Sequence, residues 1–430
     1  MNNDFVVLLM GAATLIISSI VMHQTNGIFN IKKLSLPGVW FFAYLLLIFI
    51  PSFFVFFSKD DPYRFNYIYT MASALFTVPL GVLLANCILK FQPKEIGFFH
   101  ARPVEDNPKS MLRITNFSLF LFVALVLIVL WYSEQTTPVP LIYMFTNPDN
   151  SDQLTMLREY SFKLLDSPIR YLYHLTRDFL LPFLMLLAAG NYYLSRSKLW
   201  LFLLIFTSIF GLAFAGANIA KGPIFSIIIL LFLNIAILKG GKIGWKLFIF
   251  GGLLCISFPL LVITFSQEVL SWDGFLIAIQ KVYERIFVAP ASIVYYFFEI
   301  VPERFPFQMG RCMGVVGKLL GLGPTDLAGY TAWYITGMDY ATTSVSGAFV
   351  TQLFGDFGFP GVISGGLLVG VAMQCIHVTL MRGRKTIISI TTYVLFIFFF
   401  ATLTYLQIVG ALILSGAPLL WILYKTKILG

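Results

Sequence analysis

Between Lys281 and Phe307 the chain reads Lys-Val-Tyr-Glu-Arg-Ile-Phe-Val-Ala-Pro-Ala-Ser-Ile-Val-Tyr-Tyr-Phe-Phe-Glu-Ile-Val-Pro-Glu-Arg-Phe-Pro-Phe. Cationic and aromatic residues are denser here than anywhere else in the sequence. Charges and prolines recur too often for the stretch to form an apolar span of about 20 residues. It lies at the centre of Ser266–Ser346, the longest segment that does not read as membrane-spanning. Gly347-Ala-Phe-Val-Thr-Gln-Leu-Phe-Gly-Asp-Phe-Gly-Phe-Pro-Gly361 closes that segment as the chain turns apolar again.

The surroundings decide the class. The chain has 430 residues, of which 58% are hydrophobic and only 11% charged. Mean hydropathy is +0.85. A soluble domain carries about 25% charged residues. Repeated apolar runs of span length therefore predict an all-α polytopic membrane protein. Eleven spans are expected, near 4–22, 37–57, 67–89, 114–133, 177–194, 199–216, 222–239, 246–265, 354–380, 386–406 and 408–424. Residues 1–430 form one integral membrane domain in this reading, with a first long loop at 134–176 and the large loop at 266–346. Phe5–Met22 lacks a basic leader and reads as a retained span.

Charge orients the chain. One set of alternate connections holds 17 of the 29 Lys+Arg and only three acids, Glu95, Glu105 and Asp106. The opposite set holds 12 basic residues and 17 acids. The positive-inside rule puts the first set in the cytoplasm. The N-terminus is then outside, the C-terminus inside, and both long loops face outward. This bias also accounts for the net charge of +9 without a nucleic-acid partner. Long loops that keep helical patterning carry function. Gln153–Leu165, Trp272–Phe287 and Ala291–Ile300 read as short amphipathic helices.

The chemistry-bearing residues on the outer side are mostly cations: Arg158, Arg170, Arg177, Lys221, Lys281, Arg285, Arg304, Arg311 and Lys318. Such residues either snorkel to lipid headgroups or bind a phosphate-bearing lipid. Lys221 precedes Pro223 at an expected helix start, where the dipole favours an anion. An anion held jointly by lysine and helix end would explain a cation there. Lys281 and Arg285 are four apart and share a helix face. The outer acids include Asp178, Glu284, Glu299, Glu303, Asp326, Asp339 and Asp356. Asp356 falls just inside a span, where a carboxylate is costly unless paired. It reads either as half of an ion pair or as a general base. His174 is the one outer histidine, and no CxxC pair joins the four cysteines. A His/Cys metal site and a disulfide framework are therefore not expected. The sequence has no P-loop, GxGxxG, GxSxG or HExxH motif.

Arg285-Ile-Phe-Val-Ala-Pro-Ala followed by Tyr295-Tyr296, the re-entry Phe354-Gly-Asp-Phe-Gly-Phe-Pro-Gly361 and the small-residue turn Gly216–Ile224 resemble the O-antigen polymerase (Wzy-type) family of oligosaccharide repeat-unit polymerases. The motif likeness covers about 40 residues; the layout likeness covers most of the chain. One departure is Gln352, where relatives often carry an acid five residues before Phe-Gly-Phe.

The resemblance implies a GT-C-like glycosyltransferase in the bacterial inner membrane, with its site on the periplasmic side. It implies transfer of a growing glycan from undecaprenyl diphosphate to a repeat unit on a second undecaprenyl diphosphate. No cofactor is implied, and metal independence is expected. The lipid-linked oligosaccharide and the phospholipid bilayer are the partners, with a chain-length regulator a further one compatible with the likeness. Under this reading Arg285 and Lys221 hold the diphosphate. Arg170, Arg177, Lys281, Arg304 and Arg311 assist, and Asp356 or Glu284 is the base. Tyr283, Tyr295, Tyr296, Trp333 and His174 are expected to line the substrate path. Two other classes are open: an O-antigen ligase, which would depend on His174, and a transporter or flippase of lipid-linked sugar. The latter should place charges at mid-span, and the spans here are nearly free of them.

Overall fold

Helix starts are set by short polar and proline signals within apolar sequence. Ser35 sits in extended backbone, and its hydroxyl accepts from the Gly38 amide at 3.2 Å, with Pro37 in the first turn. Proline suits that turn because the amide it lacks would go unpaired there. Asp61 plays the same part for the next long helix, its Oδ1 accepting from the Tyr63 amide at 2.9 Å. Such signals are all an apolar chain needs, since in lipid a helix satisfies its own backbone.

The computed structural model describes residues 3–29, 34–105, 108–135, 139–146, 157, 167–217, 221–241, 272–337, 345, 347–414 and 416–426. Among the described residues all regular structure is helical. Seven helices are long and apolar enough to cross a membrane: Asn3–Asn26, Leu36–Ser58, Tyr63–Leu89, Met111–Gln135, Tyr171–Ser195, Lys198–Gly216 and Phe349–Arg382. They contain the spans expected at 4–22, 37–57, 67–89, 114–133, 177–194, 199–216 and 354–380. The spans expected at 222–239 and 386–406 coincide with shorter apolar helices, Gly222–Leu238 and Ile387–Thr402. The stretch 408–424 is broken in two, Ile408–Leu414 and Ala417–Lys425, by Gly416 at φ 59°. The span expected at 246–265 lies outside the described residues, as does the helix expected at 153–165 apart from residue 157.

The chain packs as two compact units. One comprises Met1–Phe99, Ile256–Gly383 and Ile397–Ala411; the other comprises His100–Cys255, Arg384–Phe396 and Leu412–Gly430. In the first, Phe349–Arg382 packs against Tyr63–Leu89 along a stripe of glycines. A Cβ on Gly81 would strike the Leu367 carbonyl, and one on Gly370 would strike the Val78 carbonyl. Lipid supplies no hydrophobic drive between helices, so close backbone packing takes its place. The same long helix bends at Gly358 (φ 65°, ψ −153°), just before Pro360. The second unit centres on Leu181–Ser195, whose residues Leu181 to Asn191 are all buried. A helix apolar on every face belongs in such a core. Tyr132 stacks on Tyr173 at 4.3 Å, with Phe214 against both rings. In this unit Lys385 is buried, its ammonium donating to the His100 and Arg102 carbonyls at 2.9 Å each. Desolvation lowers its pKa.

The expected pair of amphipathic helices in the large loop is one helical path. Trp272–Tyr283 runs into a π-turn, Glu284–Val288, and continues as Ala289–Ile300 with Pro290 in its first turn. A π-turn inserts an extra residue and re-aims the side chains on it; such turns recur at functional sites.

Candidate functional site

Three short pieces of the first unit build a polar cluster. The turn before Tyr63 supplies Lys59 and Asp61. Ala289–Ile300 presents Glu299 three and four residues after Tyr296 and Tyr295, one turn on from both. Leu327–Thr336 presents Tyr330, Trp333 and Tyr334 in the same way. It starts at Asp326, whose carboxylate accepts from the Gly329 amide at 2.9 Å, and stops at Gly337 with φ 67°.

The pieces lock together through charge and aromatic faces. The Lys59 ammonium stands 4.8 Å from the Tyr295 ring centre and 5.0 Å from that of Tyr296. It is also 3.8 Å from Glu299 Oε1. The Tyr295 hydroxyl donates to Asp61, and the Tyr63 hydroxyl donates to Glu303. The Arg304 guanidinium lies 4.6 Å above the Tyr334 ring, which in turn meets the Tyr296 ring at 6.4 Å. Burial, then the bond to Asp61, pushes the Tyr295 phenol up and keeps it protonated. Burial also raises the Glu299 carboxyl, against the opposing pull of Lys59, Tyr334 and Arg304. Phe305, Tyr330 and Trp333 extend the aromatic surface, with ring centres 4.7 and 5.4 Å apart in succession. Trp333 is 44% exposed.

Asp356 is fully buried and forms no ion pair with an arginine among the described residues. Its Oδ1 accepts from the amides of Gly310 at 3.0 Å and Cys312 at 2.9 Å. Gln352, one turn earlier, donates to the Cys312 carbonyl at 2.9 Å and accepts from the Ile408 amide at 2.8 Å. The Gln308 and Met309 amides donate to the Gly355 and Asp356 carbonyls, both at 2.9 Å. Asp356 and Gln352 thus fasten the 308–313 segment to the helix bend. Burial, then the Asp356 charge, pushes the Cys312 thiol up.

Arg285 occupies the π-turn, exposed, and no ion pair or hydrogen bond holds its guanidinium among the described residues. Lys281 is half-buried one turn earlier. Glu284 is exposed and accepts from Gln280 at 2.9 Å, so it does not neutralise Arg285 by direct pairing. Tyr283 is exposed and its ring lies 5.5 Å from that of Phe287. Arg304 and Arg311 are exposed. Tyr295, in contrast, is fully buried, and its ring meets Tyr67 edge-on.

The remaining residues belong to the second unit. Arg177, on another π-turn, grips Asp178 with two bonds of 2.7 and 2.8 Å. The same guanidinium lies 3.1 Å from His174 Nδ1 and covers the Tyr173 ring. A guanidinium so engaged has little donor capacity left for a diphosphate. Arg170 sits within Ser167–Leu175, and Lys221 is the first residue of Lys221–Leu238.

Lys59, Asp61 and Tyr63 receive no role from the sequence. The signal was present as Lys59-Asp60-Asp61 beside Tyr63 in an acid-rich connection. Its brevity and the 234-residue separation of Asp61 from Tyr295 hid it. Comparison with known proteins returns no match to a family model, a curated protein or a solved structure.

Proposed function

We propose that this chain is an oligosaccharide repeat-unit polymerase of the O-antigen polymerase (Wzy) type, working at the outer face of the bacterial inner membrane. In this reading the protein crosses the bilayer eleven times, with the N-terminus periplasmic and the C-terminus cytoplasmic. The growing glycan leaves one undecaprenyl diphosphate and joins a repeat unit on another.

The observation that carries the reading is Arg285. It is an exposed guanidinium that no ion pair or hydrogen bond engages among the described residues, displayed on a π-turn of a helix that has an apolar face. Arg matches phosphate oxygens with its planar fork, and a departing diphosphate needs such donors to stabilise developing charge. Arg177 in the other unit is already committed to Asp178. Exposed aromatic rings at Trp333 and Tyr283 suit the apolar faces of sugar rings, while the flanking charges suit their hydroxyls. Arg170 and Lys221 remain candidate anion holders within their own unit.

The test is a purified preparation given a polyprenyl-diphosphate-linked repeat unit. A ladder of polymer is expected, and it is expected to persist in EDTA. Arg285→Ala should lose the ladder while membrane levels of the protein stay normal. Unchanged chain lengths in that variant would remove the assignment. Loss of the wild-type ladder in EDTA would overturn metal independence alone.

A further inference from the structure

Several outer carboxylates of the first unit compete for the role of proton acceptor, and the surroundings of Asp356, Asp61, Glu284 and Glu299 separate these four. Asp356 is fully buried with Oδ1 committed to two backbone amides. Asp61 takes the Tyr295 hydroxyl and caps the Tyr63 amide. Glu284 is exposed, with its Oε1 accepting from Gln280 at 2.9 Å, and no other element encloses it among the described residues. Glu299 combines partial burial with access: its side chain is 15% exposed. Its neighbours come from separate elements. Lys59 reaches it at 3.8 Å from the turn before Tyr63, and the other groups that act on its charge are Asp61 of that turn, Tyr334 of Leu327–Thr336 and Arg304 after its own helix.

We propose that Glu299, held by Lys59 at 3.8 Å where that ammonium also covers the Tyr295 and Tyr296 rings, is the catalytic base that takes the proton of the attacking sugar hydroxyl. This rests on the glycan transfer proposed above. The acceptor O–H bond breaks as its proton passes to the Glu299 carboxylate. The freed oxygen pair attacks the anomeric carbon of the donor. The bond from that carbon to the diphosphate breaks, and its electron pair leaves with the lipid diphosphate. The aromatic run Phe305–Tyr330–Trp333 offers a sugar an apolar surface in the same unit. Lys59 serves as a positioning residue, fixing the carboxylate and limiting how far burial disfavours its charged form. A base is most effective when its pKa lies near the working pH, and a half-buried glutamate moves in that direction.

The experiment uses the full chain in lipid nanodiscs with a polyprenyl-diphosphate-linked oligosaccharide, and reads ladder rate against pH, donor binding and thermal melting. Glu299→Gln is expected to lose about 100-fold or more in rate, with donor binding and melting unchanged. Lys59→Met removes the cation facing the carboxylate. Its acidic limb should therefore move to higher pH, a shift that a purely structural role would not give. A wild-type ladder with Glu299→Gln within about threefold of it overturns this base and leaves the polymerase reading standing. No ladder from the wild type overturns both. If Glu299→Gln fails to fold, the Lys59→Met limb decides: an unmoved limb overturns the proposal.

Discussion

At the scale of single residues, Asp356 shows what sequence can and cannot supply. Its depth in an apolar run signals that the carboxylate must be satisfied. Its partners are illegible, because they are backbone amides 46 and 44 residues away, and an amide has no letter in a sequence. Asp356→Ala would leave the Gly310 and Cys312 amides buried without that acceptor. The expected cost is about 1–3 kcal/mol, read as a lower melting temperature in detergent. Asp356→Asn keeps an acceptor oxygen and should cost less. A variant that melts normally yet makes no polymer would restore Asp356 as a chemical residue. Glu95 offers a pH test of the same kind. Its carboxylate meets Arg382 at 2.9 and 3.2 Å, and that hydrogen bond holds its pKa below the ordinary range. A folded pKa below the unfolded one means stability is present above the unfolded pKa. It is lost as pH falls through the folded value. Glu95→Gln should flatten that acid limb of the melting curve, and an unchanged limb would show that the pair contributes nothing.

At the scale of elements, periodicity located helices and missed their irregularities. Apolar runs of about 20 residues marked most of the long helices, because lipid leaves the backbone no other choice. The π-turns at Leu45–Phe49, Thr176–Leu180 and Glu284–Val288 were not legible. One inserted residue barely disturbs a pattern in which every second letter is apolar. The bend was half legible: Phe357-Gly-Phe-Pro-Gly361 announces a break, yet the helix begins at Phe349 and runs through it. Gly358 holds φ 65° and ψ −153°, a region open in practice to glycine alone. A Cβ there would also meet the Phe307 ring at 3.1 Å. Gly358→Ala should therefore cost about 1–3 kcal/mol and loosen the 308–313 segment that Asp356 fastens. Melting together with proteolysis of that segment would register both effects. An alanine variant as stable and as resistant as the wild type would mean the bend imposes no such constraint.

At the scale of the whole molecule, composition set the class and charge bias gave an orientation to test, while the constellation around Glu299 had to wait for the fold. Lys59, Glu299 and Tyr334 come from three stretches, and only the packing of the first unit joins them. Apolar sequence of uniform character likewise bears no mark of where one unit ends and the other begins. Orientation remains the property on which every functional statement depends, and it is directly measurable. The basic connections are expected to be cytoplasmic, because translocating Lys and Arg is disfavoured. Trp333 and Lys425 are both exposed and lie in segments assigned to opposite sides. In a chain whose Cys87, Cys255, Cys312 and Cys375 are replaced, single cysteines at these two positions provide the readout. A membrane-impermeant maleimide applied to intact spheroplasts should label the cysteine at 333 and spare the one at 425. Lysed membranes should label both. The reverse pattern would place the Arg285 turn and the Glu299 cluster in the cytoplasm. There a polymerase fed by lipid-linked units from the outer leaflet could not use them.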